Sequence, residues 1–379
     1  MERVRLARTS RGRKGHVPLT VVSISEIKPG DWDNLVRSSP DGWVFGLHGW
    51  QQLVTEVEPW GFQELGFGLV DGNELVAVMP LHFQPSSRVA ASGGWGGAGP
   101  IVADGIAPER YASIVGEALG EAIKRATANG AVRLGIASSP VTRRAISGDG
   151  EAGPYVASGF VDRSLRSQII ALDRSEQDIW MGLSKTARNL VRGAEKAGYR
   201  VEQVEWEANL DAYYDMHTET YIRTGTTPHP RSYFEGIAKH IASSGAARLV
   251  AILTPAGEPI AFHNMAVLGP GAFYHTGCSR EIAESDGAGY LLMFGAINAA
   301  RSAGVSRYDC GWIFPEAGEG KQKGLTLFKT RFGGEPRQSF RAELSFAQHS
   351  SAVQPDSAPP SHIRRLGSWV ARLRWRTGP

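Results

Sequence analysis

The chain of 379 residues is long enough for two or three domains with sizeable cores, and its 42% apolar and 21% charged content is that of a globular protein rather than a disordered one. It has no run of 18 apolar residues, and its polar, arginine-rich start lacks the apolar stretch of a signal peptide, so a cytoplasmic, non-spanning protein is expected. The net charge of +3 is uneven: residues 1–14 contribute +5 and residues 361–379 another +5, which leaves −7 for the body and argues against a uniformly basic nucleic-acid-binding surface.

Residues 1–18 read as a flexible basic arm. "VVSISEI" then alternates like a strand, and "DWDNLVRSS" follows as a short helix. "FGLVDGNELVAVMPLHF" predicts a hairpin, because Asp71-Gly72-Asn73 supplies turn chemistry between two apolar runs. "GPIVAD" is a short strand. Glu109 to Asn129 carries apolar residues at helical spacing, with Gly130 where a terminating glycine belongs, and "AVRLGIAS" returns to strand.

The second half repeats the plan. "SQIIALD" is a strand, "SEQDIWMGLSKTARNLVRGAEKAG" helical and "YRVEQV" a strand. Helices around "LDAYYDMHTETYIRTG" and "SYFEGIAKHIASSG" precede a second hairpin, "ARLVAILTPAGEPIAFHNMAVLG", and the strand "GAFYHTGCS". The helix "GYLLMFGAINAARSAG" leads to "RYDCGW", and the sheet ends near "SFRAELSF". The expectation is a mixed α/β protein of two similar halves, 19–155 and 156–350, followed by a linker and helix over 351–379. In that tail Ile363, Leu366, Val370 and Leu373 share a face opposite Arg364, Arg365 and Arg372. Such a helix suits peripheral contact with an anionic membrane through 361–376, or docking on the protein's own body.

The ten histidines show no metal-ligand spacing. Cys278 and Cys310 have no CxxC partner, and neither a G-x-S-x-G elbow nor a P-loop is present. No metal and no covalent nucleophile are therefore expected. Lys185, Arg188, Arg192 and Lys196 form a basic stripe on one helix, suited to phosphate or simply to solvent, over a buried side of Leu183, Ala187, Leu190, Val191 and Ala194. Gly287 and Gly289 open a helix whose free N–H groups could cradle a phosphate, or they serve close packing behind Asp286 as cap. Asp309 is either a buried carboxylate in need of partners or a strand-end acid. In "GLTLFKTRFGG", read as strand-forming, Lys329 follows Phe328 just ahead of a Gly-Gly pair.

Taken in order, these blocks resemble the Fem family of aminoacyltransferases, enzymes of two tandem GNAT-like domains. "KTARNLVRGAEKAGYRV" is similar to a basic family helix. "MHTETYIRTGTTPHPRSYFEGI" resembles the segment carried here by Thr220, Arg223, Gly225, Tyr233 and Phe234. "FYHTGCSRE", the Gly289 helix with "RYDCGW", and "GLTLFKTRFGG" follow in family order. The resemblance covers about 165–346 and is thinner over 40–103. It implies that Lys329, beside Phe328 and with Asp309, stabilises the oxyanion of acyl transfer to an amine, and that Arg223, Tyr233 and Tyr274 contact the acceptor. The donor's phosphates would meet Lys185, Arg188, Arg192, Lys196, Gly287 and Gly289.

Two departures stand out. The family's lysine after the tryptophan that Trp50 resembles is missing, with no lysine between Lys28 and Lys124, and there is no coiled-coil insertion. A peptide natural product could therefore replace the peptidoglycan precursor as acceptor. The expected donor is aminoacyl-tRNA, with no cofactor. The alternatives are an acyl-CoA-dependent N-acyltransferase, against which Glu284 argues by its place before the glycine turn, and an inactive, membrane-docked interaction protein.

Overall fold

The computed structural model describes residues 19–93, 97–148, 153–285 and 287–346. The basic arm and the C-terminal helix expected from the sequence lie outside them. Among the described residues no helix is long and apolar enough to cross a membrane.

Three sheets organise the chain. A four-stranded sheet runs Thr20–Ser23, Phe67–Asp71, Glu74–Met79 and Ile101–Val102, and the Asp71-Gly72 hairpin closes as expected. A six-stranded sheet runs Gln63–Glu64, His82–Gln84, Val89–Ala91, Arg133–Ala137, Arg341–Ser345 and Val161–Asp162. Its last two strands come from beyond residue 155, so the end of the second half is hydrogen-bonded into the sheet of the first. The third sheet has seven strands, ordered Arg200–Val204, Ala247–Leu253, Pro259–Leu268, Gly271–Ser279, Arg307–Ile313, Leu165–Ala171 and Glu335–Ser339.

This seven-stranded sheet is covered on both faces, which is why Pro259–Leu268 is apolar along nearly its whole length. Met265 and Val267 pack with helices Lys185–Lys196 and Ala288–Ser302 on one face. Phe262 and Ala266 pack on the other, in a core shared with Trp43, Phe45 and Trp50 of the first half. That second face is the one the two halves hold between them. Phe45 lies with its ring centroid 4.5 Å from Trp50, 5.2 Å from His275 and 6.4 Å from Phe273.

Two local expectations change. "GLTLFKTRFGG" is not a strand: helix Gly320–Thr330 takes it, and Leu325, Lys329 and Phe332 are buried at spacings of four and three residues. The alternation of Leu and Phe with polar residues mimics a strand over too short a window. The long basic helical segment also breaks. Helix Glu176–Gly182 ends at Leu183, and Ser184 caps a new helix with its hydroxyl accepting from Ala187 N at 3.1 Å.

Candidate active site

The strands Gly271–Ser279 and Arg307–Ile313 run parallel and pair over only three residues each, ending at Phe273 opposite Asp309. Beyond that pair the ladder stops, leaving their remaining N–H and C=O groups outside it. Two bulges mark the parting. The Asn264/Met265 register shift places His275 outside the ladder, and a second shift lies where Ser167 and Ile169 face Trp312 and Asp309.

Lys329 comes to this parting from the helix, not from a strand. It is 1% exposed, and its Nζ donates to the Trp312 carbonyl at 2.7 Å. Gly311 makes the approach possible. Its φ is +85°, and a Cβ there would lie 2.9 Å from Lys329 Nζ. A side chain would therefore be strained by the backbone and would displace the ammonium. Asp309 is 3% exposed, and its Oδ1 accepts from Gly311 N at 2.7 Å. The acid is thus the buried kind, and the ammonium is its charge partner.

Burial works against both charges. It pushes Asp309 up to about 6, against the pull of the Gly311 N–H and the Lys329 charge, and it pushes Lys329 down to about 8, against Asp309. The pair is therefore charged between those values and close to losing one charge on either side.

His275 was not singled out from the sequence. Asn264 Nδ2 lies 3.3 Å from its Nδ1 and Tyr233 Oη 2.9 Å from its Nε2. With the amide donating to Nδ1, Nε2 carries the proton and donates to the Tyr233 oxygen. Burial lowers His275 to about 3, so the ring is neutral. Gly311, too, gave no signal beyond its place after Asp309 in "RYDCGW".

The other expected site residues spread out. Phe328 faces away, packed edge-on against Tyr290 and Phe332 with ring centroids 5.0 and 5.2 Å apart. Tyr233 is buried beside His275, whereas Tyr274 turns toward the helical face, 4.4 Å from the His263 ring. Arg223, at the end of helix Trp206–Arg223, donates to the Ser279 carbonyl at 3.0 Å and pairs with Glu219 at 3.7 Å. Arg223 is thus anchored at the Ser279 end of that strand.

On the basic stripe, Lys185, Arg192 and Lys196 are exposed. Arg188 is half-buried and donates to the Met181 carbonyl at 3.1 Å, and the Arg192 guanidinium lies 5.1 Å from the Trp180 ring centre. Gly287 is itself the cap residue of helix Ala288–Ser302, with Gly289 in the first turn and Asp286 outside the described residues. Its φ is +74°, and a Cβ there would meet the Leu190 carbonyl oxygen at 2.7 Å. The glycine thus serves close packing between two helices.

Residues 183–320 match a family model described as an acetyltransferase (GNAT) domain. No curated protein matches the sequence. Among solved structures, the chain is similar to FemX, with 16% identity, 84% of this chain and 96% of that one covered, and a TM-score of 0.65. It is similar to L-PGS from Bacillus licheniformis at 13% identity, covering 83% of this chain and 91% of that one, with a TM-score of 0.55. A tandem GNAT protein from the clavulanic acid biosynthesis pathway shares 13% identity over 86% of this chain and 98% of that one, with a TM-score of 0.53. The chain therefore has a mixed α/β fold of the tandem GNAT type, similar to that of FemX, and residues 183–320 match the model of a GNAT domain.

Proposed function

We propose that this protein is an acyltransferase that forms an amide bond, moving an aminoacyl group from aminoacyl-tRNA to the amine of a small peptide or other amine-bearing acceptor. The observation that carries the reading is the buried Lys329–Asp309 pair where the two parallel strands part. When the amine attacks the ester carbonyl, negative charge gathers on the carbonyl oxygen. Lys329 is a fixed cation in a water-poor site, where such stabilisation is strongest. Asp309, ionised, receives the proton the amine must lose and hands it to the ribose oxygen, which leaves as a hydroxyl as the tetrahedral intermediate collapses to the amide.

Two further observations support the choice of substrates. The residue after Trp50, where the family's acceptor-holding lysine would stand, is Gln51. It is buried and donates to the carbonyls of Phe45 and Leu47 at 2.8 and 3.0 Å, which argues against a nucleotide-sugar acceptor held there. Lys185, Arg192 and Lys196 give the acceptor stem an exposed, salt-sensitive phosphate contact. The second reading, an acyl-CoA donor, is favoured by the match to the acetyltransferase family model.

The test is the product mass formed on a mixture of amine acceptors with a charged tRNA pool and, in parallel, with acetyl-CoA. An aminoacyl increment that RNase abolishes is expected. An acyl increment indifferent to RNase would replace this reading with the CoA one.

The pH dependence follows from the pair. The competent form has Asp309 ionised and Lys329 protonated. The rate is therefore expected to rise with pH through about 6 and to fall through about 8. Single-turnover rates across that range check it.

A further inference from the structure

A cleft of about 960 Å³ lies between the two halves, beside the reaction centre and not part of it. Strand registers show what forms its floor. Asp309 and Glu335 both face Ile169 across the ladder, Arg307 faces Ala171 and Arg337 faces Ser167. Residues in register share a face, and alternate residues of one strand share it too. Asp309, Ile169, Arg307, Glu335 and Arg337 therefore lie on one face. It is the face turned to the first half, because Ile169 packs in the core with Trp43 and Phe45. The cleft, floored by Ile169 and Arg337, thus begins one strand away from Asp309.

Its charges are unequally committed. On the first-half wall Asp41 is held by Arg144 and by Tyr111 Oη at 3.2 Å, and the Arg144 guanidinium lies 4.0 Å from the Tyr111 ring centre. Asp178, from the second half, is tied to Ser175, whose hydroxyl donates to it at 2.6 Å. On the opposite wall Arg337 meets, among the described residues, Glu335 of its own strand, at 2.6 Å with both side chains 63% exposed, and Arg307 meets Asp173 at 2.8 Å. Exposed pairs of this kind contribute little and exchange readily, whereas a phosphate or carboxylate can take the guanidinium fork with two hydrogen bonds. Arg174 adds a third cation to that wall, and Ile106, Ile146 and Ile169 give the cleft an apolar part.

We infer that this cleft is the acceptor subsite, built for an amine that carries a phosphate or carboxylate at the far end of an apolar stretch. Arg337 lies two strands over and two residues along from Asp309, roughly 12 Å between Cα atoms, which sets the spacing of the two charged ends. The assignment rests on Asp309 and Lys329 as the reaction centre. It places the acceptor's anion at Arg337 rather than at Arg223.

Calorimetric titration of the full chain, without donor, with aminooctyl phosphate, aminoethyl phosphate and octyl phosphate tests it. Aminooctyl phosphate is expected to bind at least tenfold more tightly than either of the others, and Arg337→Gln, a change at an exposed position, to weaken it at least tenfold. Aminononanoic acid run alongside tells a carboxylate from a phosphate. Equal binding of the three phosphates, or an affinity that Arg337→Gln leaves unchanged, overturns the assignment. Because no donor is present, that failure would leave the acyl-transfer reading standing. An inactive transfer assay would likewise leave the binding result intact.

Discussion

Asp309→Asn is expected to destabilise the fold by about 3–5 kcal/mol, and the Asp309→Asn/Lys329→Met double variant to recover most of that loss. Each charge of the pair is buried to within a few per cent, and burial is the largest influence on both ionisations. Removing the carboxylate alone leaves the ammonium its hydrogen bond to Trp312 O but takes away the opposite charge that supports it. Removing both charges leaves a site of similar volume with the Asn oxygen still placed to accept from Gly311 N. Urea unfolding of the two single variants and the double variant measures the coupling. Losses that simply add would show that the two residues do not form a pair.

Lys329→Met is expected to slow acyl transfer by about 10²–10³-fold with acceptor binding nearly unchanged. The ammonium contributes where charge develops, and the ground-state amine meets Asp309 and the cleft instead. Lys329→Arg should not restore the rate. The larger guanidinium would have to fit a site in which Lys329 is 1% exposed and its Nζ already lies 2.7 Å from the Trp312 carbonyl oxygen. Circular dichroism of the variants and kcat beside KM separate this from misfolding. A variant that loses only affinity would show Lys329 to be a binding group.

Much of the fold was legible because local chemistry and tertiary context agree there. The Asp71-Gly72 turn, helix Pro108–Ala128 and the apolar Pro259–Leu268 strand each carry their own signal. The Lys329 segment did not, since four alternating residues fit a strand as well as a helix, and only the burial of Leu325, Lys329 and Phe332 decides. At the site, Lys329 and Asp309 were named from sequence, but their pairing depends on a bulge and a positive φ at Gly311 that no local pattern announces. Arg223 was given as an acceptor contact by the family resemblance, and the Gly287 turn was left open between a phosphate cradle and close packing. Their surroundings give each a structural partner, the Ser279 and Leu190 carbonyls. The cleft was invisible because its floor is assembled by registers between strands distant in the chain.

Loss of rate or stability alone could come from general disruption, so the most direct test is the pH–rate profile of Asp309→Asn beside the unaltered protein. The account predicts that the variant loses the rise through about 6, and that its high-pH fall moves below about 8, because the carboxylate that props up the Lys329 charge is gone. A variant that keeps both limbs at their original positions would show that neither Asp309 nor its partner governs the reaction.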